Sequence, residues 1–506
     1  MTDQSHDASR NPTRPSADTA AVPVLIAILL ALTAVRLVGL NLSQVDLFFD
    51  EAQYWSWAQA PAFGYFSKPP LLAWVIALAQ SVCGSGEACV RAPSPIIYAL
   101  IAIVVYLIAH RLYDARTAFW SALSIVLATG VIFSTRIIST DVPLLLFWSL
   151  ALLAYVELLE KPRWSFAIVL GLAVGLGMLA KYAMVYFYLG IVLSAWLAPH
   201  TRTLLRQPMF WVSVLIAFAC LIPNVIWIAQ HDFVTFKHTS DNVQGSGASF
   251  RPGQALSFLA SQFAVIGPIT FGVFLVGLAK LWRNTFTHED RLLIAFAIPP
   301  LVLIAGTAMI THYNANWAAT AAISVTIFAT AILIREARWK LVTTTIALGL
   351  SAQTLFIIAD AYAPKVSLPF LARGDVYSRT LGWKNLAEAV KEVTQKTGAK
   401  SIVTDQRAAT AELLYYLRDA NLPIYAWRSQ AAASDQYDMD IPLTPSAPQP
   451  VLAVVECGSP ARYRNSYDAV EALPDITVST GPRSQRSYRA LMLSGANGTP
   501  PFGRCS

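Results

Sequence analysis

The feature that most constrains this chain is the recurrence of long apolar runs, separated by charged or Pro/Gly-containing punctuation. A hydrocarbon core of roughly 30 Å is crossed by about 20 helical residues. Lipid offers the backbone no hydrogen-bond partner, so each such run must close its own bonds as a helix. Eleven runs lie near 21–41, 92–110, 117–135, 142–159, 165–180, 182–199, 209–229, 256–279, 292–310, 316–334 and 340–360. Only 13% of the 506 residues are charged and 55% are hydrophobic, against about 25% charged in a soluble domain. These numbers define an α-helical polytopic membrane protein with about eleven transmembrane helices.

The first twenty residues are polar and rich in Ser, Thr, Asp and Pro, which reads as a disordered cytoplasmic tail and not as the basic start of a cleaved signal peptide. After Asp360 the character changes. Residues 361–506 hold 16 of the 37 Lys and Arg and alternate short apolar runs with amphipathic stretches, as a small α/β domain does. In it "YSRTLGWKNLAEAVKEV" and "AATAELLYYLRD" read as helices, and "AKSIVTDQR" and "PVLAVVECG" as strands. Loop charge sets the orientation. With the N-terminus inside, 14 Lys and Arg fall in cytoplasmic segments and 7 on the opposite side, excluding the C-terminal domain. The first long loop, 42–91, and the C-terminal domain then face outward. The net charge of +7 is accounted for by cytoplasmic anchoring and calls for no nucleic-acid partner. Cys83 and Cys89 in the first loop, and Cys457 and Cys505 in the C-terminal domain, make two candidate pairs suited to an oxidising compartment such as a periplasm; unpaired small residues are the plain alternative.

Charge beside a membrane span is costly, so each such residue is a functional candidate. Asp50, Glu51 and Lys68 lie in the stretch "LFFDEAQYWSWAQAPAFGYFSKPPLLAW". Asp141 opens the fourth run, with Arg136 five residues earlier, and Lys181 falls at the turn between the fifth and sixth. The loops around His231 and "THYNANW", with His312 and Asn314, lie on the same side. Each has a blander reading. Asp141 suits a helix N-cap, Lys181 a snorkelling lysine, the Trp and Tyr residues an interfacial belt, and the histidines local hydrogen bonds. Two adjacent carboxylates among Phe48, Phe49, Tyr54 and Trp55 are harder to dismiss, because burial penalises them. No Walker-type phosphate loop and no Cys/His metal spacing is present, and "GLAVGLG" at 171–177 reads as close helix packing.

Taken in order, "FDEAQYW", "GYFSKPP", "RIISTDVPLLLFW" and "GLGMLAKYAM" resemble the GT-C glycosyltransferases of family 39 and its relatives, over roughly residues 20–360. These include protein O-mannosyltransferases, lipid A aminoarabinose transferases and rhizobial galacturonosyltransferases; "HYNANW" and the C-terminal motifs resemble the bacterial branch. The resemblance implies an inner-membrane enzyme that moves a sugar from a polyprenyl-phosphate donor to a lipid or polysaccharide acceptor on the periplasmic face, with inversion. It implies that Asp50 acts as base towards the acceptor hydroxyl, that Glu51 orients neighbouring groups or the sugar, and that Asp141 holds the sugar or positions a cation. Lys68 would bind the donor phosphate, assisted by Arg136 or Lys181. Tyr54, Trp55 and Tyr65 would stack on the sugar or cover the prenyl phosphate, with His231, His312 and Asn314 as further substrate contacts. Some relatives carry a divalent cation, for which no ligand set is evident here. A transporter or flippase for a polyprenyl-linked or glycolipid substrate is the competing class; it calls for charges at the membrane midplane, whereas these cluster at one face.

Overall fold

A computed structural model describes residues 17–235, 250–280, 286–367, 375–428, 430–456 and 458–498. Each of the eleven apolar runs folds as one helix or two successive ones. Six are long and apolar enough to cross a membrane: Ala21–Leu42, Glu87–Leu112, Asp141–Glu160, Pro208–Gln230, His288–Ala308 and Trp339–Ala361. A seventh is added if Tyr182–Leu197 and Pro199–Leu205, bent by 118°, form one span. The other runs are shorter helices, such as Trp164–Ala180 and Ala321–Arg335, or broken ones. The run 256–279 divides into Pro252–Val265 and Pro268–Lys280 because Gly267 takes φ +112° directly before a proline. That conformation is open to glycine, and proline disfavours the α region in the residue before it.

Close helix packing does the rest. Trp164–Ala180 lies so near Pro208–Gln230 that a Cβ on Gly175 would stand 2.6 Å from Cys220 Cβ, which is the use membrane helices make of small residues. Between the first two spans, 42–91 forms helix Phe49–Ala58, a Pro-rich turn, and the apolar helix Leu71–Cys83. The latter buries Leu71, Leu72, Ala73 and Ile76 and leaves Leu78 and Val82 exposed, the pattern of a helix lying along a surface. A disulfide joins Cys83 to Cys89. Cys457 and Cys505 lie outside the described residues.

Beyond Ala361 the chain builds a five-stranded sheet flanked by helices. Strands Ser401–Thr404, Ile424–Ala426 and Val451–Val455 run parallel; Gln485–Ala496 adds antiparallel to the last of these, and Tyr467–Ser479 closes the edge. The central strand Val451–Val455 is buried at every position, as a strand covered on both faces must be. The edge strand carries a register shift between Leu473 and Ile476, where Pro474 falls. Proline donates no ladder bond and is tolerated only at such edges and bulges.

This domain docks on the first loop through polar contacts at both ends. Asp46 Oδ2 accepts from the N–H groups of Trp383 and Lys384, at 2.8 and 3.3 Å, so it satisfies the N-terminus of helix Trp383–Thr397. Tyr416, ending helix Arg407–Tyr416, donates its hydroxyl to Glu87 and accepts from Leu47 N–H, while Tyr415 donates to Ser85 O. Beneath them Glu412 is fully buried, and neither carboxyl oxygen has a hydrogen-bond partner among the described residues. Burial, reinforced by Asp46 and Glu51 and opposed by Arg486 and Arg91, raises its pKa well above the ordinary 4.5. The folded chain therefore holds a proton that the unfolded chain releases. Its contribution to stability is complete below about pH 4.5 and declines as pH rises towards the folded-state value. Wild-type protein is expected to lose thermal stability as pH rises above about 4.5, while Glu412→Gln stays flatter; melting curves at rising pH check this, and parallel slopes would count against it.

Candidate active site

The site begins with helix Phe49–Ala58, whose first turn holds both acids of the first loop. Neighbouring helical residues point about 100° apart, and the pair separates accordingly. Glu51 turns inward and is 1% exposed. Its Oε1 and Oε2 accept from Arg91 at 2.9 and 2.7 Å, and they also accept from the N–H groups of Ile138 and Phe48, both at 2.9 Å. Arg91, itself buried, spends its remaining donors on Val45 O and Asp46 O. With every bond supplied by the protein, Glu51 has nothing left for a sugar. The expectation of a catalytic Glu51 narrows to the orienting part: it pins the helix so that Asp50 faces the other way.

Asp50 is half-exposed, and its Oδ1 accepts from Arg407 Nη1 at 3.0 Å. Arg407 also donates to Gln53 Oε1 and lies over the Phe49 ring, 4.9 Å from its centre. Asp141 heads helix Asp141–Glu160; its Oδ1 pairs with Lys181 Nζ at 2.7 Å and its Oδ2 accepts from Asn316 Nδ2 at 2.6 Å. Lys181 itself follows the last residue of helix Trp164–Ala180. Capping alone does not explain this pair, because the Asp141 side chain bonds across to two other segments.

Lys68 completes the group. It is half-buried in the Pro-rich turn, and among the described residues no carboxylate stands within ion-pair reach. Its pKa is lowered, first by burial and then by Lys181, with Asp50 and Asp141 opposing and Arg407 adding. A partly desolvated cation beside a second cation is a place where an anion is stabilised. Among the described residues, no group of three or more His, Cys, Asp or Glu lies close enough to hold a metal ion.

Other expected residues fall elsewhere. Arg136 makes a bidentate pair with Asp360 and reaches Tyr377 Oη at 3.3 Å, which ties the bundle to the segment entering the C-terminal domain. Tyr54, Trp55 and Tyr65 are buried: Trp57 and Tyr65 stack at 4.5 Å, Tyr54 packs on Trp57, and Trp55 meets Tyr415 edge-on at 5.0 Å. These rings pack on one another and on Tyr415, which buries a large aromatic area in paired geometries. His231 stacks on Trp227 and bonds Trp227 O, a local arrangement. His312 stays exposed and, with Arg251, Gln254, Ile310, Thr311 and Tyr313, lines a cavity of about 150 Å³. Within "HYNANW" it is Asn316, and not Asn314, that enters the site. Sequence reasoning also missed Arg407, Gln53 and Arg91; of these only Arg91, a charge directly before an apolar run, carried a local signal.

An apolar helical bundle that presents carboxylates and lysines at one end, beneath a small α/β domain, is the architecture of GT-C membrane glycosyltransferases. Residues 67–227 match the family model described as dolichyl-phosphate-mannose-protein mannosyltransferase. The chain is 33% identical to the lipid A galacturonosyltransferase RgtD of Rhizobium johnstonii over 470 residues, which is 92% of this chain and 96% of the relative. It is 25% identical over 257 residues to the undecaprenyl phosphate-alpha-4-amino-4-deoxy-L-arabinose arabinosyl transferase of Pseudomonas savastanoi pv. phaseolicola, covering 47% of this chain and 46% of that one. In fold it is similar to ArnT from Cupriavidus metallidurans bound to undecaprenyl phosphate, with TM-score 0.63 and 16% identity over 96% of this chain and 100% of that one. The chain belongs to the GT-C glycosyltransferase family that includes the Rhizobium enzyme.

The two neighbouring acids are expected to differ sharply when neutralised. Glu51→Gln breaks a buried ion pair and is expected to destabilise the protein by about 3–5 kcal/mol, whereas Asp50→Asn, at a half-exposed position, is expected to stay within about 0.5 kcal/mol of wild type. Chemical denaturation of the two purified variants measures both.

Proposed function

We propose that this glycosyltransferase moves a uronic acid, with galacturonic acid as the first candidate, from a polyprenyl phosphate to a lipid A-type glycolipid at the periplasmic face of the bacterial inner membrane. The observation that carries this reading is Lys68, a partly desolvated cation that lacks a direct anionic partner among the described residues and whose charge is felt by Asp50, Asp141 and Lys181. A phosphate leaving group departs already stable as an anion, so the reaction needs cations beside the phosphate more than a strong acid. The sugar class and the acceptor rest on the 33% identity to the Rhizobium enzyme over 96% of its length. The orientation, N-terminus cytoplasmic and C-terminal domain periplasmic, rests on the 14 to 7 distribution of Lys and Arg.

In this reading the acceptor hydroxyl oxygen attacks the anomeric carbon and its proton passes to Asp50. The bond from that carbon to the phosphate oxygen breaks, and both electrons stay on the phosphate, which remains bound to its prenyl chain. Lys68 stabilises the charge that grows there. Lys181 adds to the same field but is half-neutralised by Asp141, which is in turn held by Asn316. A single displacement inverts the anomeric carbon. The apolar helices beneath accept the prenyl tail. A divalent cation, if it acts, would have to be held with help from substrate phosphate, since the described residues assemble no ligand cluster for it. Enzyme chemistry, and not transport, follows from the family.

Transfer of labelled galacturonic acid from polyprenyl phosphate to lipid A by the purified chain in proteoliposomes tests the reading. Asp50→Asn is expected to abolish transfer at least about a hundredfold, as removal of a general base does. Lys68→Met is expected to cost about 10- to 100-fold, the worth of a hydrogen bond to a charged group, and to respond to donor concentration. Undiminished transfer by either variant would sink the role given to that residue, and failure of the wild-type chain with this donor would sink the sugar assignment.

A further inference from the structure

The C-terminal domain grips the active-site segments at more than its rim. Gln436 accepts from Phe66 N–H at 2.6 Å, two residues before Lys68, and Tyr437 meets Ser56 at 3.0 Å on the helix that holds Asp50. Arg407 reaches furthest. It is the first residue of helix Arg407–Tyr416, and the positive end of a helix macrodipole is the least favourable place there for a cation. Its guanidinium touches three residues of one helix face: Phe49 through the ring, Asp50 through Oδ1 and Gln53 through Oε1. Such three-point contact fixes a planar group in orientation as well as position. The result at Asp50 is asymmetric. Oδ1 is held by Arg407, while Oδ2 has no hydrogen-bond partner among the described residues.

We infer that Arg407 is a positioning residue for the acceptor-activating carboxylate: by holding Oδ1, it turns Oδ2 of Asp50 towards the acceptor hydroxyl. The inference rests on the role proposed for Asp50. A merely structural role explains the geometry poorly. Both side chains are more than a third exposed, at 37% and 39%, and an ion pair so open to water adds little to stability. Docking is already carried by Asp46, Tyr415, Tyr416 and Trp55. Asp435, the nearby acid whose titration Arg407 also influences, is occupied in capping Tyr437 and Asp438 with its Oδ1. Arg407 is thus spent on the acid helix.

The test uses the full chain in proteoliposomes, with two donors, polyprenyl-phosphate galacturonic acid and polyprenyl-phosphate 4-amino-arabinose, and lipid A as acceptor. Arg407→Met is expected to lower kcat by about 10- to 100-fold, the cost of a misplaced catalytic group, with donor KM and melting temperature unchanged and with partial recovery in Arg407→Lys. In the Asp50→Asn background the same change is expected to cost nothing more, since residues that act as a unit are not additive. A second measurement needs no turnover: carbodiimide labelling of Asp50, followed by mass spectrometry, is expected to speed up several-fold once Arg407 no longer holds the carboxylate. Unchanged kcat, an equal loss in the Asp50→Asn background, or unchanged labelling would each overturn the inference. Loss of galacturonic acid transfer by the wild-type chain, with labelling still dependent on Arg407, would count against the sugar assignment alone.

Discussion

The buried pair of Glu51 and Arg91 is the interaction on which the rest of the site depends. Two charges are taken out of water, which is tolerable only because their hydrogen-bonding capacity is met by each other and by backbone. The bonds tie together three places: the loop before helix Phe49–Ala58, the short helix Glu87–Arg91 that leads into a span, and the backbone at Ile138 just ahead of Asp141. One ion pair thereby relates Asp50 and Asp141 to each other. Loosening it would move both acids at once.

Around this anchor the charges divide their work by exposure. The sealed pairs, Glu51 with Arg91 and Arg136 with Asp360, hold segments together. The open or unpaired groups, Asp50, Arg407 and Lys68, are those a substrate can meet. Lys181 with Asp141 lies between, paired yet close enough to influence Lys68. Burial, more than residue type, separates the two sets, since Asp and Arg occur in both.

Much of this was legible in the sequence. Apolar runs located each of the six long spans among the described residues, because lipid leaves a chain no alternative to helical hydrogen bonding. The cost of charge beside lipid singled out Asp50, Lys68, Asp141 and Lys181. Adjacent acids in "FDEA" look alike as letters; only the helical rotation between them decides which is buried. Arg407 stands 357 residues from Asp50, and no local pattern links them. The aromatic cluster suggested sugar stacking because composition cannot distinguish a ring facing a ligand from one facing another ring. The last hairpin escaped notice because Pro474 interrupts its edge strand and breaks the alternation that would reveal it. Hydropathy counts residues and is blind to a break such as Gly267, so the run 256–279 appeared as one helix where the chain forms two.

The order of parts along the chain gives the docking contacts a further meaning. Asp50 and Lys68 are synthesised early, between the first two spans, whereas Arg407 and Gln436 follow the last membrane helix, Trp339–Ala361. A growing chain therefore carries Asp50 and Lys68 through most of membrane insertion without the domain that grips their segments. These contacts form only when the segment after that helix has folded back on the first loop. A half-inserted chain would carry Asp50 and Lys68 without Arg407 and Gln436 beside their segments.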